Sequence, residues 1–161
     1  MQRPIPSIAA ILAAGLSGTA FAQQFVQQTT TRFPVQAEYT NQCTVVDIDG
    51  DGDLDIVWAN GQGYSTAGTA LPVRIYVNNG AGTFADETAT RAAGITGWFR
   101  GVEAGDIDRD GDWDLVLAND FNKKPVLLLN NGAGVFTDAS ARLPAFTMSS
   151  TTHPAPWATT A

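Results

Sequence analysis

The chain has 161 residues, enough for one ordinary hydrophobic core and hardly for two. Charged residues make up 16% of it and apolar residues 44%, which excludes a disordered acidic tail. The formal net charge is −7, yet ten of the sixteen acidic residues fall in two nine-residue stretches, so the acidity is local. No basic stripe offers itself to nucleic acid.

The first segment, "MQRPIPSIAAILAAGLSGTAFAQQ", has one positive residue, Arg3, then an apolar run from Ile8 to Leu16. It closes on Ala20-Phe21-Ala22, an A-x-A pattern that places a signal peptide over residues 1–22 with cleavage after Ala22. The run is too short to span a bilayer, and no later segment is apolar enough to do so. The mature chain is therefore expected to begin at Gln23 and to work outside the cytoplasm: secreted, extracellular, periplasmic or on the cell surface. Residues 23–35 read as a lead-in to the fold. Cys43 is the one cysteine, which excludes an intrachain disulfide and a cysteine metal cluster. Its setting, "NQCTVV", reads as a small buried strand residue.

A repeat follows. "DIDGDGDLDIVWAN" (Asp47 to Asn60) and "DIDRDGDWDLVLAN" (Asp106 to Asn119) superimpose at an offset of 59 residues. "VRIYVNNGAGTFADET" (Val73 to Thr88) and "PVLLLNNGAGVFTDAS" (Pro125 to Ser140) superimpose at an offset of 52, because the first copy carries seven more residues in its loop. Conserved spacing with loop-length changes between the matched segments is the mark of a structural repeat.

Each copy reads as short strands. "CTVV" and "GVEAG" enter the acidic loops, "DIVWA" and "DLVLA" leave them, "RIYVN" and "VLLLN" come next, and "TFAD" and "VFTD" close the unit. Asn78-Asn79-Gly80 and Asn130-Asn131-Gly132 read as hairpin turns, since Asn and Gly accept the positive φ that such turns need. The runs "IVWA", "LVLA" and "VLLL" are apolar on consecutive positions, a pattern of strands covered on both faces. With no helical period of any length, the cover must come from other sheets, as in the blades of a propeller.

The acidic loops carry the chemistry. Asp47, Asp49, Asp51, Asp53 and Asp55 stand at positions one, three, five, seven and nine, with Gly52 at six. Asp106, Asp108, Asp110, Asp112 and Asp114 repeat them around Gly111. Carboxylates at one, three and five converge if the backbone curls, glycine at six permits the curl, and position seven offers its carbonyl. Oxygen-only, charged ligands suit Ca²⁺ over Zn²⁺, and over Mg²⁺, which keeps its water. The side chains of Asp53 and Asp112 are expected to point outward. An EF-hand shares the first half of this spacing but needs glutamate at position twelve and flanking helices. Position twelve is Trp58 in one copy and Leu117 in the other.

The pattern D-x-D-x-D-G-x-x-D, a β-run, and a hairpin with "NNGxGxF" resembles the FG-GAP/VCBS repeat family, blades of integrin-α-type β-propellers, from Gln36 to Asp138. The resemblance implies an all-β fold of two four-stranded antiparallel blade-like repeats, an incomplete β-propeller, with structural Ca²⁺ in each loop between the first two strands. Its ligands carry over to Asp47, Asp49, Asp51, Asp53 (carbonyl) and Asp55, and to Asp106, Asp108, Asp110, Asp112 (carbonyl) and Asp114. The letters "FG-GAP" are absent; "YTNQCTVVD" and "WFRGVEAGD" stand there instead, closer to the bacterial form of the repeat.

The repeats are assigned to 36–92 and 93–145, and residues 146–161 read as the start of a truncated third. Two blades cannot close a propeller, so the chain reads as the leading piece of a longer protein or as copies that assemble. His153 reads as solvated, Ser65, Ser140 and Ser149 have no triad company, and Arg100 and the "FNKKP" loop read as exposed charge. Trp58 and Trp113 read as packing between blades. The functional expectation is a non-enzymatic, secreted scaffold for an extracellular protein or carbohydrate. The alternative is a leading module of an extracellular polysaccharide-acting enzyme.

Overall fold

The computed structural model describes residues 27–34 and 36–145. The leader, the start of a third repeat, Ser149 and His153 lie outside them. Ten strands occur among the described residues: β1 (Thr40–Val46), β2 (Asp55–Asn60), β3 (Leu71–Pro72), β4 (Arg74–Asn78), β5 (Phe84–Asp86), β6 (Thr96–Gly97), β7 (Phe99–Gly105), β8 (Asp114–Asn119), β9 (Val126–Asn130) and β10 (Phe136–Asp138). Helix is confined to single turns, Thr29–Arg32, Thr88–Arg91 and a 3₁₀ turn at Ser140–Arg142. The fold is all-β and every strand pair is antiparallel.

Each repeat makes one four-stranded sheet, in the order β1-β2-β4-β5 and β7-β8-β9-β10. The eight strands are those expected from the sequence. The hairpins between the last two strands of each sheet follow from their asparagines. Asn79 Oδ1 accepts the N–H groups of Ala81 and Thr83 at 3.0 and 3.2 Å, and Asn131 Oδ1 those of Ala133 and Val135 at 3.0 and 3.3 Å. A third ladder pairs β3 with β6, Leu71 with Gly97 and Pro72 with Thr96. These strands are two residues each and have no run of apolar or β-branched residues to announce them.

Side chains alternate across a strand, so each sheet has two faces. Val46, Val57, Ala59, Ile75 and Val77 lie on one face of the first sheet and pack in one core cluster with Val102, Leu115, Leu117, Leu128 and Phe136 of the second. At the repeat offsets, Leu115, Leu117 and Leu128 correspond to Ile56, Trp58 and Tyr76, which occupy the other face of the first sheet. The two sheets therefore stack head to tail, unlike faces in contact. Burying a Leu or Val side chain contributes about 1.5–3 kcal/mol, so this shared core dominates the stability.

Three expectations are corrected here. Cys43 is on a strand but exposed. It points to the same side as Val45, 54% exposed, on the face of the first sheet that the second does not cover. Neither Trp58 nor Trp113 lies between the sheets. Trp58 stacks on Phe33 at 5.2 Å and meets Tyr76 edge-on at 4.8 Å, so the lead-in, and not a sheet, covers that outer face. Trp113 is 46% exposed. Arg100 is no exposed charge. Its guanidinium donates to Asp120 Oδ2 at 2.9 Å and to the carbonyls of Gly61 and Gly63, tying the loops at the end of the sheets opposite the acidic loops.

Candidate metal centre

The two acidic loops join β1 to β2 and β7 to β8. Their curl is built from glycine at position six, Gly52 at φ +92° and Gly111 at φ +98°, a region that side chains disfavour. Carboxylates then accept the loop's own N–H groups. Asp47 accepts those of Gly50 and Gly52 at 2.8 and 3.0 Å, and Asp51 and Asp110 accept those of Asp53 and Asp112 at 2.9 and 3.0 Å.

Position nine fastens each loop to its sheet. Asp55 and Asp114 are fully buried. Asp55 accepts the N–H of Ile48 at 3.1 Å with one oxygen and that of Asn78 at 2.8 Å with the other. Asp114 does the same with Ile107 and Asn130, both at 2.9 Å. Each acidic loop is thereby tied to the hairpin strand beside it.

In each loop three carboxylates converge. One oxygen each from Asp47, Asp49 and Asp55 lies within 4.8 Å of the other two, and the same holds for Asp106, Asp108 and Asp114. These acidic clusters can hold a metal ion. Burial raises the carboxyl pKa of Asp55; the N–H groups of Asn78 and Ile48 pull it back, and the charges of Asp49 and Asp51 add to the rise. Asp108 is also raised, by desolvation first and then by the charges of Asp110 and Asp114. Crowded negative charge adds to both rises, after desolvation, and a cation would relieve that part. A further sign of fit is Asp49 Oδ1, buried and without a hydrogen-bond partner among the described residues. An oxygen-only donor set with an orphaned carboxylate oxygen suits a hard dication.

Asp51 and Asp110 do not join these three-oxygen groups. The carboxylates of Asp53 and Asp112 do not simply point outward but reach over the hairpin turns. An atom added at Cα of Gly80 would lie 2.6 Å from Asp53 Oδ2, and one at Gly132 2.7 Å from Asp112 Oδ2. The φ of +77° and +82° at these two positions favours glycine beneath the carboxylates.

The most informative residue missed by the sequence reading is Arg91. It donates to Asp49 Oδ2 at 2.9 Å, to Glu87 at 2.7 Å and to the carbonyl of Ala133, in the second sheet's turn, at 2.6 Å. Arg32 reaches the carbonyl of Ala81, in the first sheet's turn, in the same way. The signal was present: Thr29-Thr30-Thr31-Arg32 and Thr88-Ala89-Thr90-Arg91 match at the 59-residue offset. It lay outside the acidic copies. Asn130 was assigned only to a turn, yet its Nδ2 also donates to the carbonyl of Ile48 across the sheets at 2.7 Å. Ser140 accepts the N–H of Leu127 and donates to Asp138, closing the end of the second sheet.

Residues 47–117 match the family model described as FG-GAP-like repeat. No curated protein and no solved structure matches the chain.

Proposed function

With residues 47–117 matching the family model described as FG-GAP-like repeat, we propose that this protein is a secreted, non-enzymatic scaffold whose two acidic loops bind structural Ca²⁺. The observation that carries the reading is the convergence of three carboxylates in each of two loops at the same spacing. Asp47, Asp49 and Asp55, and Asp106, Asp108 and Asp114, supply side-chain oxygens. Asp51 and Asp110 stand next to them, and the carbonyls of Asp53 and Asp112 complete the sets. When bound, the ion neutralises the crowded carboxylates and cross-links the loop. Asp55 and Asp114 pass that order to the neighbouring hairpins through their paired N–H acceptances.

The sheets act as blades of a propeller arrangement in this reading, and the head-to-tail contact of unlike faces supports it. Loops at both ends of the sheets are then free to present a binding surface to an extracellular protein or carbohydrate. The A-x-A site at Ala20-Phe21-Ala22 supports export, which N-terminal sequencing of the secreted protein would check by finding Gln23 first.

At roughly 1 mM Ca²⁺ and a dissociation constant near 0.1 mM, each site contributes about 1.4 kcal/mol. Calorimetric titration of residues 23–161 should show two binding events, and EDTA should lower the unfolding midpoint. A midpoint that is the same in EDTA and in millimolar CaCl₂ overturns the reading.

A further inference from the structure

Resting on the calcium reading above, we propose that Arg91 is a positioning residue that couples cation binding in the first loop to docking of the second sheet. Its guanidinium lies between the two. One terminal nitrogen donates to Asp49 Oδ2 at 2.9 Å and the other to the carbonyl of Ala133 at 2.6 Å, while Nε is held by Glu87 at 2.7 Å. The other oxygen of Asp49, Oδ1, is buried without a hydrogen-bond partner among the described residues, and Asp49 offers one oxygen to the group it forms with Asp47 and Asp55. One carboxylate thus serves both the loop's oxygen group and the Arg91 guanidinium.

Other contacts place the first loop inside the interface. Ile48, next to Asp49, is 2% exposed in the shared core, and its carbonyl accepts the Asn130 side chain at 2.7 Å. Gly134 closes the contact from the second sheet: an added Cβ would land on the Arg91 guanidinium and lie 3.2 Å from Asp49 Cβ. The second loop has no such arrangement. Leu143 stands at the place corresponding to Arg91, and among the described residues Asp108 makes no ion pair.

The physical consequence is linkage. Three carboxylates within 4.8 Å of one another repel in the absence of a counter-ion, and Asp49, the one tethered to Arg91, can relax only by moving the guanidinium. Movement of Arg91 withdraws its hydrogen bond from the Ala133 turn. A site that holds Asp49 in place therefore also favours the docked sheet, and docking favours the site by the same factor.

Hydrogen exchange tests this in an Asp108→Asn background, which disables the second loop. Calcium should slow exchange in both the first loop (residues 50–53) and the second sheet's turn (residues 131–135), by about tenfold or more. With calcium held at saturation, so that the weaker binding expected from lost coupling does not empty the site, adding Arg91→Gln should keep calcium protection at 50–53 and reduce that at 131–135 to about twofold or less. If Arg91→Gln does not fold, Arg91→Lys serves, because a single ammonium cannot span Asp49 and Ala133 in the same way. Calcium protection at 131–135 that survives both substitutions overturns the coupling. Calcium protection absent from both regions before Arg91 is touched overturns the calcium reading itself.

Discussion

The first acidic loop is wedged into the fold and the second stands at its margin. Ile48 is 2% exposed and its counterpart Ile107 is 45% exposed. Asp49 is paired with Arg91, whereas Asp108 lies in the open beside its own loop's carboxylates, with the charge of Arg142 acting on it but no ion pair among the described residues. The same ladder of aspartates is thus placed in two environments, and the difference comes from what packs on the loop and not from the loop's own letters. Two letters do differ inside it: Leu54 is replaced by Trp113, and Gly50 at φ +74° by Arg109 at φ +66°, a left-handed conformation that costs a side chain about 1–2 kcal/mol.

The largest expected effect is one in which the loops should behave alike. Asp55→Ala and Asp114→Ala each orphan two N–H groups at a buried position, and each should cost about 4 kcal/mol in urea unfolding. A clear inequality between them would show that burial at position nine is not the common support it looks to be. Next comes a pair that should separate the loops. Gly82 and Gly134 have φ of +70° and +69°, but the nearest atom to an added Cβ is 3.6 Å away at Gly82, while at Gly134 it falls on Arg91. Gly134→Ala should cost about 2–3 kcal/mol and Gly82→Ala about 1 kcal/mol. Equal costs would dissolve the distinction.

Arg109→Gly should raise stability by about 1 kcal/mol in the absence of calcium, read as a higher thermal midpoint, by relieving the left-handed strain. No change would mean that the second loop relaxes where the first cannot. The smallest effect concerns Tyr76, which stands where the second repeat has Leu128. Its hydroxyl is buried without a partner among the described residues, and burial pushes its pKa from 10.0 up to about 12. The folded state keeps this proton through a window in which the unfolded state has lost it. Its contribution is complete below pH 10.0 and is lost as pH rises to about 12. Tyr76→Phe should flatten stability over that interval and be neutral to about 1 kcal/mol more stable at pH 7. A stability profile as steep as the parent's would assign the alkaline loss to other groups.

Much of the local structure was legible. Eight strands, both hairpin turns and the curl at Gly52 and Gly111 follow from residue types whose backbone preferences are strong and local. Spacing led to the expectation that carboxylates one, three and five would converge; the groups that form join one, three and nine, because position nine is held inward by the N–H groups of the neighbouring strand. What escaped was set by tertiary neighbours. Cys43 looked buried because its strand is apolar, but a strand does not declare which of its faces will be left open. Arg100 looked like ordinary surface charge and Arg91 drew no reading, because their partners, Asp120 with Gly61 and Asp49 with Ala133, are 20 to 42 residues away in the chain. β3 and β6 are too short to carry any period at all.

Because the stacked sheets meet through faces that are not equivalent, no twofold axis can reproduce this contact between identical units. A unit turned end for end would present its wrong side. Any further sheet laid down by the same operation would have to arrive in one orientation, as each stair in a spiral flight repeats the rotation of the last. The stack has a front and a back, inherited from the order of residues along the chain.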